Sequence, residues 1–383
     1  MVKVSEIRAD LDSLLASQVK KAGRTDPLLM GVMVNRQGKL STLTTFDGIS
    51  CTTIQDRDWG ELIPEGGFVV PAGFTSIFKM LDKEAEVQVA QTKKGQIEVN
   101  QGSSKWRFPM SLQTESFYPM GEEILLNRVA CTSIEFEGDL LREAIVNVYP
   151  SIGKEYTAMC CAQFILKPLA GELIAIATDN KRLTLSKAIN VKYPDLPLPE
   201  YQFILPGSKL LALAKFLKDT ERIQVHFTNS IAVFENIEAK TSLAIRLLNS
   251  KYPPVLKLFE IPFVAGYTIE PKEFLACLKR IKILLPENKL GAINPVDLRF
   301  ENSNVKITNK SDLFTEILSC KSLDVEGIEN PSVFESRLNV NYIDEALSIL
   351  TGKECDMKLN SSIVSVTCNT LAGSVTHFIA TVE

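Results

Sequence analysis

A strand followed by the start of a helix recurs three times along the chain, and its anchors Val70, Leu205 and Val340 lie 135 residues apart. An internal repeat limits the architecture strongly, because every copy must form the same supersecondary unit. The copies are Phe68-Val69-Val70-Pro71-Ala72, Phe203-Ile204-Leu205-Pro206-Gly207 and Leu338-Asn339-Val340-Asn341-Tyr342. Propeller and solenoid repeats are much shorter, so the spacing predicts three tandem domains.

Each copy contains two helical patterns and several strand patterns. The short helix after each anchor has apolar residues at i, i+3, i+4 and i+7. These stripes are Phe74, Ile77, Phe78 and Leu81; Leu210, Leu213, Ala214 and Leu217; and Ile343, Ala346, Leu347 and Leu350. A longer amphipathic helix opens each copy, and runs of period two follow the short helix. We predict an α+β fold with domains at residues 1–122, 130–259 and 260–383, each containing two helices and an antiparallel sheet.

The composition is that of a globular protein with an acidic balance. Hydrophobic residues make up 45% of the 383 residues, charged residues make up 23%, and the net charge is −4. A protein that binds DNA by charge alone is usually basic, so DNA contact here would need a local charge pattern or a topological link. No run approaches the ~18 apolar residues of a membrane helix, and no signal-peptide core follows Met1. We expect a cytoplasmic location.

Cysteine and histidine offer little for metal or redox chemistry. The eight cysteines form no CxxC pair, and only Cys160 and Cys161 are close in sequence. Buried thiols in a reducing compartment explain them, and their spacing does not fit a zinc site. The two histidines, His226 and His377, each fall in an alternating run typical of a strand. The sequence predicts no metal and no cofactor.

Motifs of common catalytic sites are missing from the sequence. There is no GxxxxGK(S/T), GxGxxG, HExxH or GxSxG. Thr351-Gly352-Lys353-Glu354 lacks both the upstream glycine and the hydroxyl residue of a phosphate loop. Asp56 and Asp58, on either side of Arg57, fit a solvated loop better than a paired-carboxylate site. We therefore expect a protein without enzymatic activity.

Segments in all three copies resemble the bacterial sliding clamp family, the β subunit of DNA polymerase III. They are Thr44-Thr45-Phe46-Asp47, Val69-Val70-Pro71-Ala72, Phe117-Tyr118-Pro119, Ala177-Thr178-Asp179-Asn180-Lys181-Arg182-Leu183, Lys251-Tyr252-Pro253, Leu284-Leu285-Pro286-Glu287-Asn288-Lys289 and Leu338-Asn339-Val340-Asn341-Tyr342. Their order and spacing carry the resemblance, which covers essentially the whole chain.

The resemblance implies a processivity factor. Three clamp-type domains per chain would form a head-to-tail ring homodimer around double-stranded DNA, with no sequence specificity. The ring would tether DNA polymerase, and its other partners would be the clamp loader and proteins with clamp-binding motifs. Two other interpretations stay open. One is a DNA-processing enzyme with a sparse site, and the other is a clamp-like scaffold or decoy that binds proteins but has little DNA activity.

Basic residues on the helices are the expected DNA contacts. They would meet phosphates without reading bases. On the helices they are Lys79, Lys215, Lys218, Lys272, Lys279 and Lys282; Arg24, in the loop after the first helix, joins them because it resembles a DNA contact of the family. For each lysine an ordinary solvated helix face is the alternative, and acidic residues such as Asp10 and Asp344 oppose a uniformly basic surface.

The family also has a peptide-binding pocket between its second and third domains. Carried over to this chain, it comprises Cys161, Thr178, Asn180, Lys181, Arg182, Leu183, Pro253, Lys257, Leu258, Ile379 and Ala380. Asn180 and Lys181 replace the usual Gly and His or Tyr. The chain end Ile379-Ala380-Thr381-Val382-Glu383 replaces a terminus rich in methionine, so partner preference is expected to differ. A plain domain junction is the alternative.

The resemblance places a dimer interface between the first domain and the third domain of another copy. It implies an aromatic contact from Phe108 and apolar contacts from Leu284 and Leu285. The alternative is that these three are ordinary core residues.

Overall fold

The repeat predicted from the sequence is visible as a recurring order of strands and helices. The computed structural model describes residues 2–19, 26–58, 63–128, 130–154, 158–193, 200–285, 294–309, 311, 313–323, 330–350, 352, 354–370 and 372–382. Within these residues each repeat runs strand, helix, four strands, helix and three strands, and the third repeat adds one two-residue strand. The mixed helices and antiparallel strands confirm the α+β class.

The first repeat packs two helices against its own strands. Its elements are β1 (Val2–Lys3), α1 (Val4–Leu14), β2 (Val32–Gln37), β3 (Leu40–Phe46), β4 (Ser50–Arg57), β5 (Gly66–Val70), α2 (Ala72–Met80), β6 (Glu86–Gln91), β7 (Gln96–Gln101) and β8 (Ser104–Pro109). Ile7 and Leu11 of α1 and Phe74 and Phe78 of α2 follow helical spacing and are buried. They share a core with alternate residues of β6 and β7.

The second repeat follows the short link helix α3 (Glu122–Leu125). Its elements are β9 (Thr132–Glu137), α4 (Gly138–Val148), β10 (Cys161–Lys167), β11 (Glu172–Thr178), β12 (Arg182–Ala188), β13 (Tyr201–Pro206), α5 (Gly207–Phe216), β14 (Arg222–Phe227), β15 (Ile231–Asn236) and β16 (Thr241–Arg246). Ile223, Val225 and Phe227 alternate along β14 and are buried, as the period of two predicts.

The third repeat has the same order. Its elements are β17 (Ala265–Ile269), α6 (Pro271–Leu284), β18 (Pro295–Glu301), β19 (Asn304–Thr308), β20 (Thr315–Ser319), β21 (Lys321–Ser322), β22 (Val333–Asn339), α7 (Val340–Ser348), β23 (Cys355–Leu359), β24 (Ile363–Asn369) and β25 (Gly373–Ala380). Phe274 and Leu278 of α6 and Ile343 and Leu347 of α7 enter one core with the strands.

Two compact units cut across these repeats. The first is Met1–Arg142 with Ser208–Asn249, and the second is Glu143–Gly207 with Ser250–Glu383. The boundary falls inside α4 and α5, so the second repeat contributes to both units. Domains at residues 1–122, 130–259 and 260–383 therefore remain a prediction.

The sheets explain this division. The first unit contains a four-stranded sheet, β1-β6-β7-β8, and an eight-stranded sheet, β5-β2-β3-β4-β16-β15-β14-β9. The second unit contains a nine-stranded sheet, β13-β10-β11-β12-β25-β24-β23-β17-β21, and a four-stranded sheet, β20-β19-β18-β22. Each large sheet joins two repeats through one antiparallel pair, β4 with β16 and β12 with β25.

Among the described residues, no helix has the length and apolar character needed to cross a membrane.

Candidate partner-binding site

The hairpin between β11 and β12, in the second unit, begins the candidate site. Asn180 has a positive φ of 69° at the turn, which asparagine tolerates better than most residues. Asp179 Oδ1 accepts hydrogen bonds from the backbone N–H groups of Lys181 and Arg182 at 2.9 and 3.0 Å. The Thr178 hydroxyl donates to the Arg182 carbonyl at 2.7 Å. These side-chain bonds fix the turn and leave Lys181 exposed at its tip.

Arg182 is a brace beneath this hairpin. Its side chain is only 12% exposed, and its guanidinium binds the carboxylates of Asp179 and Glu345. It also donates to the Pro150 carbonyl and lies 4.5 Å from the centroid of the Tyr342 ring. A planar guanidinium offers five donors and a face for stacking, which lysine lacks. Arg182 thus links the hairpin of the second repeat to α7 of the third.

A row of side chains crosses the large sheet beside the hairpin. The register pairs Thr178 with Leu183 and Leu183 with Phe378. Residues directly opposite each other in an antiparallel pair share a face of the sheet. Leu183 and Phe378 are therefore neighbours in this row, and both are buried.

The register differs from the expected pocket floor at Ile379. Ile379 pairs with Arg182, and successive residues of a strand point to opposite faces. Ile379 therefore lies on the other face from Leu183, in the core of the third repeat. Phe378 occupies the position beside Leu183 instead. Ala380 is partly buried, and its N–H donates to the Lys181 carbonyl at 2.9 Å.

Tyr252 and Cys161 pack near Thr178. The Tyr252 hydroxyl donates to the Cys161 carbonyl at 3.2 Å. Burial raises the pKa of the Tyr252 phenol and of the Cys161 thiol. Both groups are therefore neutral near pH 7 and act as packing groups. Pro253 follows Tyr252 and is partly buried.

A 3-10 helix, Val255–Glu260, covers part of this face. Phe259 meets Phe378 edge-on with ring centroids 4.6 Å apart, yet 43% of Phe259 remains exposed. Leu256 is also exposed, and Leu258 is partly buried. The exposed cations Lys181 and Lys257 lie in the hairpin and in this helix. An apolar surface with a few polar groups suits a peptide with an apolar anchor and a nearby acidic or amide group.

The outer strands of the two four-stranded sheets form further surfaces. β8 ends one sheet, and β20 ends the other. Phe108 of β8 meets Phe74 edge-on with ring centroids 5.6 Å apart and packs against the core of the first repeat. Leu285 packs against the core of the third repeat, whereas Leu284 is exposed. Of the three expected interface residues, Leu284 lies furthest toward the surface.

Large apolar side chains are exposed around β20. Ile317 on this strand is 62% exposed. Arg280 of α6 binds Glu316 of β20 through two hydrogen bonds of 2.8 Å, which brings the end of the helix near the strand. We define the β20 patch as the exposed residues Ile283, Leu284, Leu313 and Ile317. Large exposed apolar side chains such as these are candidates for an interaction surface.

Curated proteins with similar sequences are sliding clamps, although no protein-family model matches the chain. The beta sliding clamp of Bacillus subtilis (strain 168) is 28% identical over 229 residues, which cover 58% of this chain and 56% of that protein. The beta sliding clamp of Staphylococcus aureus (strain MW2) is 23% identical over 343 residues, 87% of this chain and 86% of that protein. The chain thus matches about half the length of the first relative and most of the second.

Solved structures extend the likeness to the whole chain. The DNA polymerase III subunit beta from Pseudomonas aeruginosa has a TM-score of 0.82 at 16% identity, over 100% of this chain and 99% of that one. The DNA polymerase sliding clamp from Bacillus subtilis has a TM-score of 0.79 at 20% identity, over 100% and 98%. This chain has the sliding-clamp fold. The predicted resemblance to a divergent clamp is confirmed.

The basic residues expected to meet DNA in a sliding clamp differ in their partners. Lys215 donates to the Asp12 carbonyl at 3.3 Å, and Lys282 pairs with Asp344 at 2.7 Å. The side chains of the other four lysines are exposed and form no hydrogen bond or ion pair with a described residue; they are Lys79, Lys218, Lys272 and Lys279. Arg24 lies outside the described residues.

Buried polar groups of this clamp fold form a short hydrogen-bonded series in the second unit. The Thr184 hydroxyl lies 2.6 Å from the Ser151 hydroxyl and 2.8 Å from His377 Nδ1. Burial, with a smaller effect of the Arg182 charge, lowers the pKa of His377 to about 3. His377 is therefore neutral near pH 7. Over the described part of the chain, no group of three or more His, Cys, Asp or Glu residues is placed to hold a metal ion.

Proposed function

We propose that this chain is a DNA sliding clamp. Two copies join head to tail into a closed ring around duplex DNA, and the ring tethers DNA polymerase and other replication and repair proteins. Three clamp-type domains per copy, at residues 1–122, 130–259 and 260–383, make a ring of six. The role is topological, so the chain needs no catalytic site and no cofactor. The clamp fold and the repeated element order support this proposal.

Two strands that end their sheets among the described residues, β8 and β20, give the main support for the proposal. Within the chain, the fourth strand of the first repeat, β4, pairs with β16, the last strand of the second repeat. The equivalent strand of the second repeat, β12, pairs with β25, the last strand of the third. The remaining equivalents are β20 and β8, which end their sheets among the described residues. Pairing β20 of one copy with β8 of another repeats the same junction.

Closure then follows from symmetry. A head-to-tail contact between identical chains generates a ring if the rotation closes. Two such contacts would leave neither β8 nor β20 with an exposed edge, and exposed edges favour uncontrolled association. The β20 patch would be covered in the same step. Burying one large apolar side chain contributes roughly 1.5–3 kcal/mol.

The test is the mass in solution and retention on DNA. Wild type should sediment near twice 42.5 kDa. Ile317→Glu should give a folded monomer, because it places a charge on the edge that pairs. Leu169→Glu is the control, since Leu169 is also exposed, 82% against 62% for Ile317, but lies in the 3-10 helix Pro168–Ala170 between β10 and β11 and not on β20. A dimeric Ile317→Glu variant would contradict the interface.

A ring around DNA also predicts different retention on circular and on linear DNA. Loaded wild type should stay on closed circular DNA and slide off linear DNA of the same sequence. Equilibrium binding to linear duplex should be weak, with log K falling by about 0.9 per phosphate neutralised for each unit of log salt. Lys272→Ala with Lys279→Ala should reduce that slope. Equal retention on circular and linear DNA would argue against a clamp.

A further inference from the structure

A serine, a histidine and a glutamate form a hydrogen-bonded series on the eight-stranded sheet. Ser133 lies on β9, His226 on β14 and Glu235 on β15. Ser133 Oγ is 2.8 Å from His226 Nδ1, and His226 Nε2 is 3.1 Å from Glu235 Oε2. Ser133 and His226 face each other directly in the strand register, and Glu235 lies diagonally across the next pair.

The carboxylate decides which imidazole nitrogen is the base. A carboxylate only accepts hydrogen bonds, so Glu235 favours the tautomer with the proton on Nε2. Nδ1 then carries the lone pair and accepts the hydrogen bond from the Ser133 hydroxyl. A nucleophile bonded to a base that a third group orients is the arrangement that activates serine.

The surroundings leave the serine accessible and the imidazole sheltered. Ser133 is exposed, whereas the His226 side chain is only 14% exposed. Neighbouring charges on this face are paired with each other, since Arg222 binds Glu135. Among the described residues β9 is the edge strand of the sheet, and an edge strand presents some backbone N–H groups on the side away from its neighbour, a position that suits an oxyanion.

We propose that Ser133 is an activated nucleophile that accepts an acyl group from an activated ester. Ser133 Oγ attacks the ester carbonyl, and His226 Nδ1 takes the hydroxyl proton. A bond forms between Oγ and the carbonyl carbon, and the bond from that carbon to the leaving oxygen breaks. The proton on His226 then passes to the departing alkoxide or phenoxide. Glu235 stabilises the transient imidazolium, and the product is an acylated Ser133. This site is independent of ring formation.

The probe is p-nitrophenyl acetate with the full-length protein. Release of p-nitrophenolate is followed by absorbance, and the acetyl group is located by peptide mass spectrometry. Wild type should carry acetyl on Ser133, and Ser133→Ala should remove that product. His226→Ala should slow acetylation of Ser133 by about 10²-fold, the usual contribution of a positioned base. Free imidazole also reacts with p-nitrophenyl acetate, so rescue is measured by selectivity: added imidazole should raise acetylation of Ser133 in this variant more than that of other exposed serines, which a purely structural role would not produce.

Ser303 is the internal control within each sample. It is exposed in the turn between β18 and β19, and neither histidine is bonded to it, because His226 binds Ser133 and His377 binds Thr184. The acetylation ratio of Ser133 to Ser303 should be high in wild type and fall in His226→Ala. Equal acetylation of the two serines in wild type would overturn the proposal, as would an unchanged rate in a His226→Ala variant that retains its circular dichroism spectrum.

Discussion

The two places where strands of different repeats pair within the chain are built alike. In the first unit β4 pairs with β16, and in the second β12 pairs with β25. Each junction has a charged brace between a hairpin and a helix. Lys209 of α5 binds Asp47 in the first unit, and Arg182 binds Glu345 of α7 in the second. Both braces are largely buried on at least one side.

The chain segments that pack over the two junctions differ. At the first junction the link after β8 folds onto the sheet and buries Phe117, Met120 and Ile124 against Val233 and Ala244. Gly121 in this link has a φ of 90°, and a side chain there would meet Val233 at 2.7 Å. The link therefore lies flat against the strands and seals them.

At the second junction the cover is incomplete. The segment Val255–Glu260 touches the sheet through Phe259 on Phe378 but leaves Phe259 and Leu256 exposed. The same pairing of strands thus gives a sealed joint in one unit and an apolar surface in the other. The link, rather than the sheet, decides which junction leaves an apolar surface exposed.

The difference in cover predicts the largest change in stability. Phe117→Ala removes a side chain that is 3% exposed, and we expect the free energy of unfolding to fall by about 3–5 kcal/mol. Phe259→Ala removes a half-exposed ring with one aromatic contact, and we expect a loss of about 1 kcal/mol. Urea denaturation of both variants measures the difference. Equal losses would mean that the two covers are equivalent.

The brace of the second junction can be tested next. Arg182→Ala should lower the free energy of unfolding by about 2–3 kcal/mol, because it removes charge-assisted hydrogen bonds and leaves a partly buried Asp179 without its partner. Lys181→Ala, one residue earlier and exposed, should cost no more than about 0.5 kcal/mol. Arg182→Lys should not restore the loss, since lysine lacks the planar fork. Coinciding denaturation curves for Arg182→Ala and Lys181→Ala would show that Arg182 does not stabilise the second junction.

Acid should weaken the second junction through His377. Its folded pKa is about 3, whereas the unfolded value is near 6.5, so the unfolded state binds the proton first as the pH falls. The contribution of neutral His377 to the free energy of unfolding is therefore fully present above about pH 6.5. It falls by about 1.4 kcal/mol per pH unit below that value. His377→Gln should flatten this dependence between pH 6.5 and 4 relative to wild type. Parallel pH profiles of wild type and variant would show that other groups cause the acid loss.

The smallest expected effect is that of single substitutions at the second junction on the affinity for a peptide. A peptide with leucine and phenylalanine anchors and an adjacent acidic residue should bind the wild type, and Phe259→Ala should weaken it about tenfold, or 1.4 kcal/mol. Lys181→Ala should mainly change the salt dependence and association rate. Leu169→Ala is a matched control on an exposed turn of the same unit. Calorimetric titration distinguishes these cases, and unaltered binding by Phe259→Ala would place the peptide elsewhere.

The sequence predicts the local elements of this fold well. The helical stripes, the alternating strands and the threefold order depend on residues close in the chain, and the structure confirms them in Phe74, Leu278 and Val225. Pairing of β4 with β16 depends on residues far apart in sequence, and no local pattern encodes it. The division into two units follows from that pairing and was not predicted.

The site was predicted less well than the fold. Phe378 lies between His377 and Ile379 in a strand whose residues are mostly apolar on both faces of the sheet. The sequence alone therefore does not show which face each residue occupies, and the strand register is needed. Arg182 looks like a solvated charge in the sequence, because Glu345 and Tyr342 lie in another repeat. Ser133, His226 and Glu235 are on three different strands, and only the alternation around His226 hinted at a neighbour on the same face.

The boundary inside α4 and α5 also has a consequence for how the molecule can be divided. The sequence repeats and the compact units do not share boundaries. The second repeat is divided between the two compact units, so the two kinds of boundary differ by about half a repeat. A fragment cut at residues 130 and 259 would keep all strands of the second repeat but leave β12 without β25 and β16 without β4. Such a fragment would expose two sheet edges at once and should aggregate. The modules that a gene duplication would copy are therefore not the modules that could be exchanged as folded pieces.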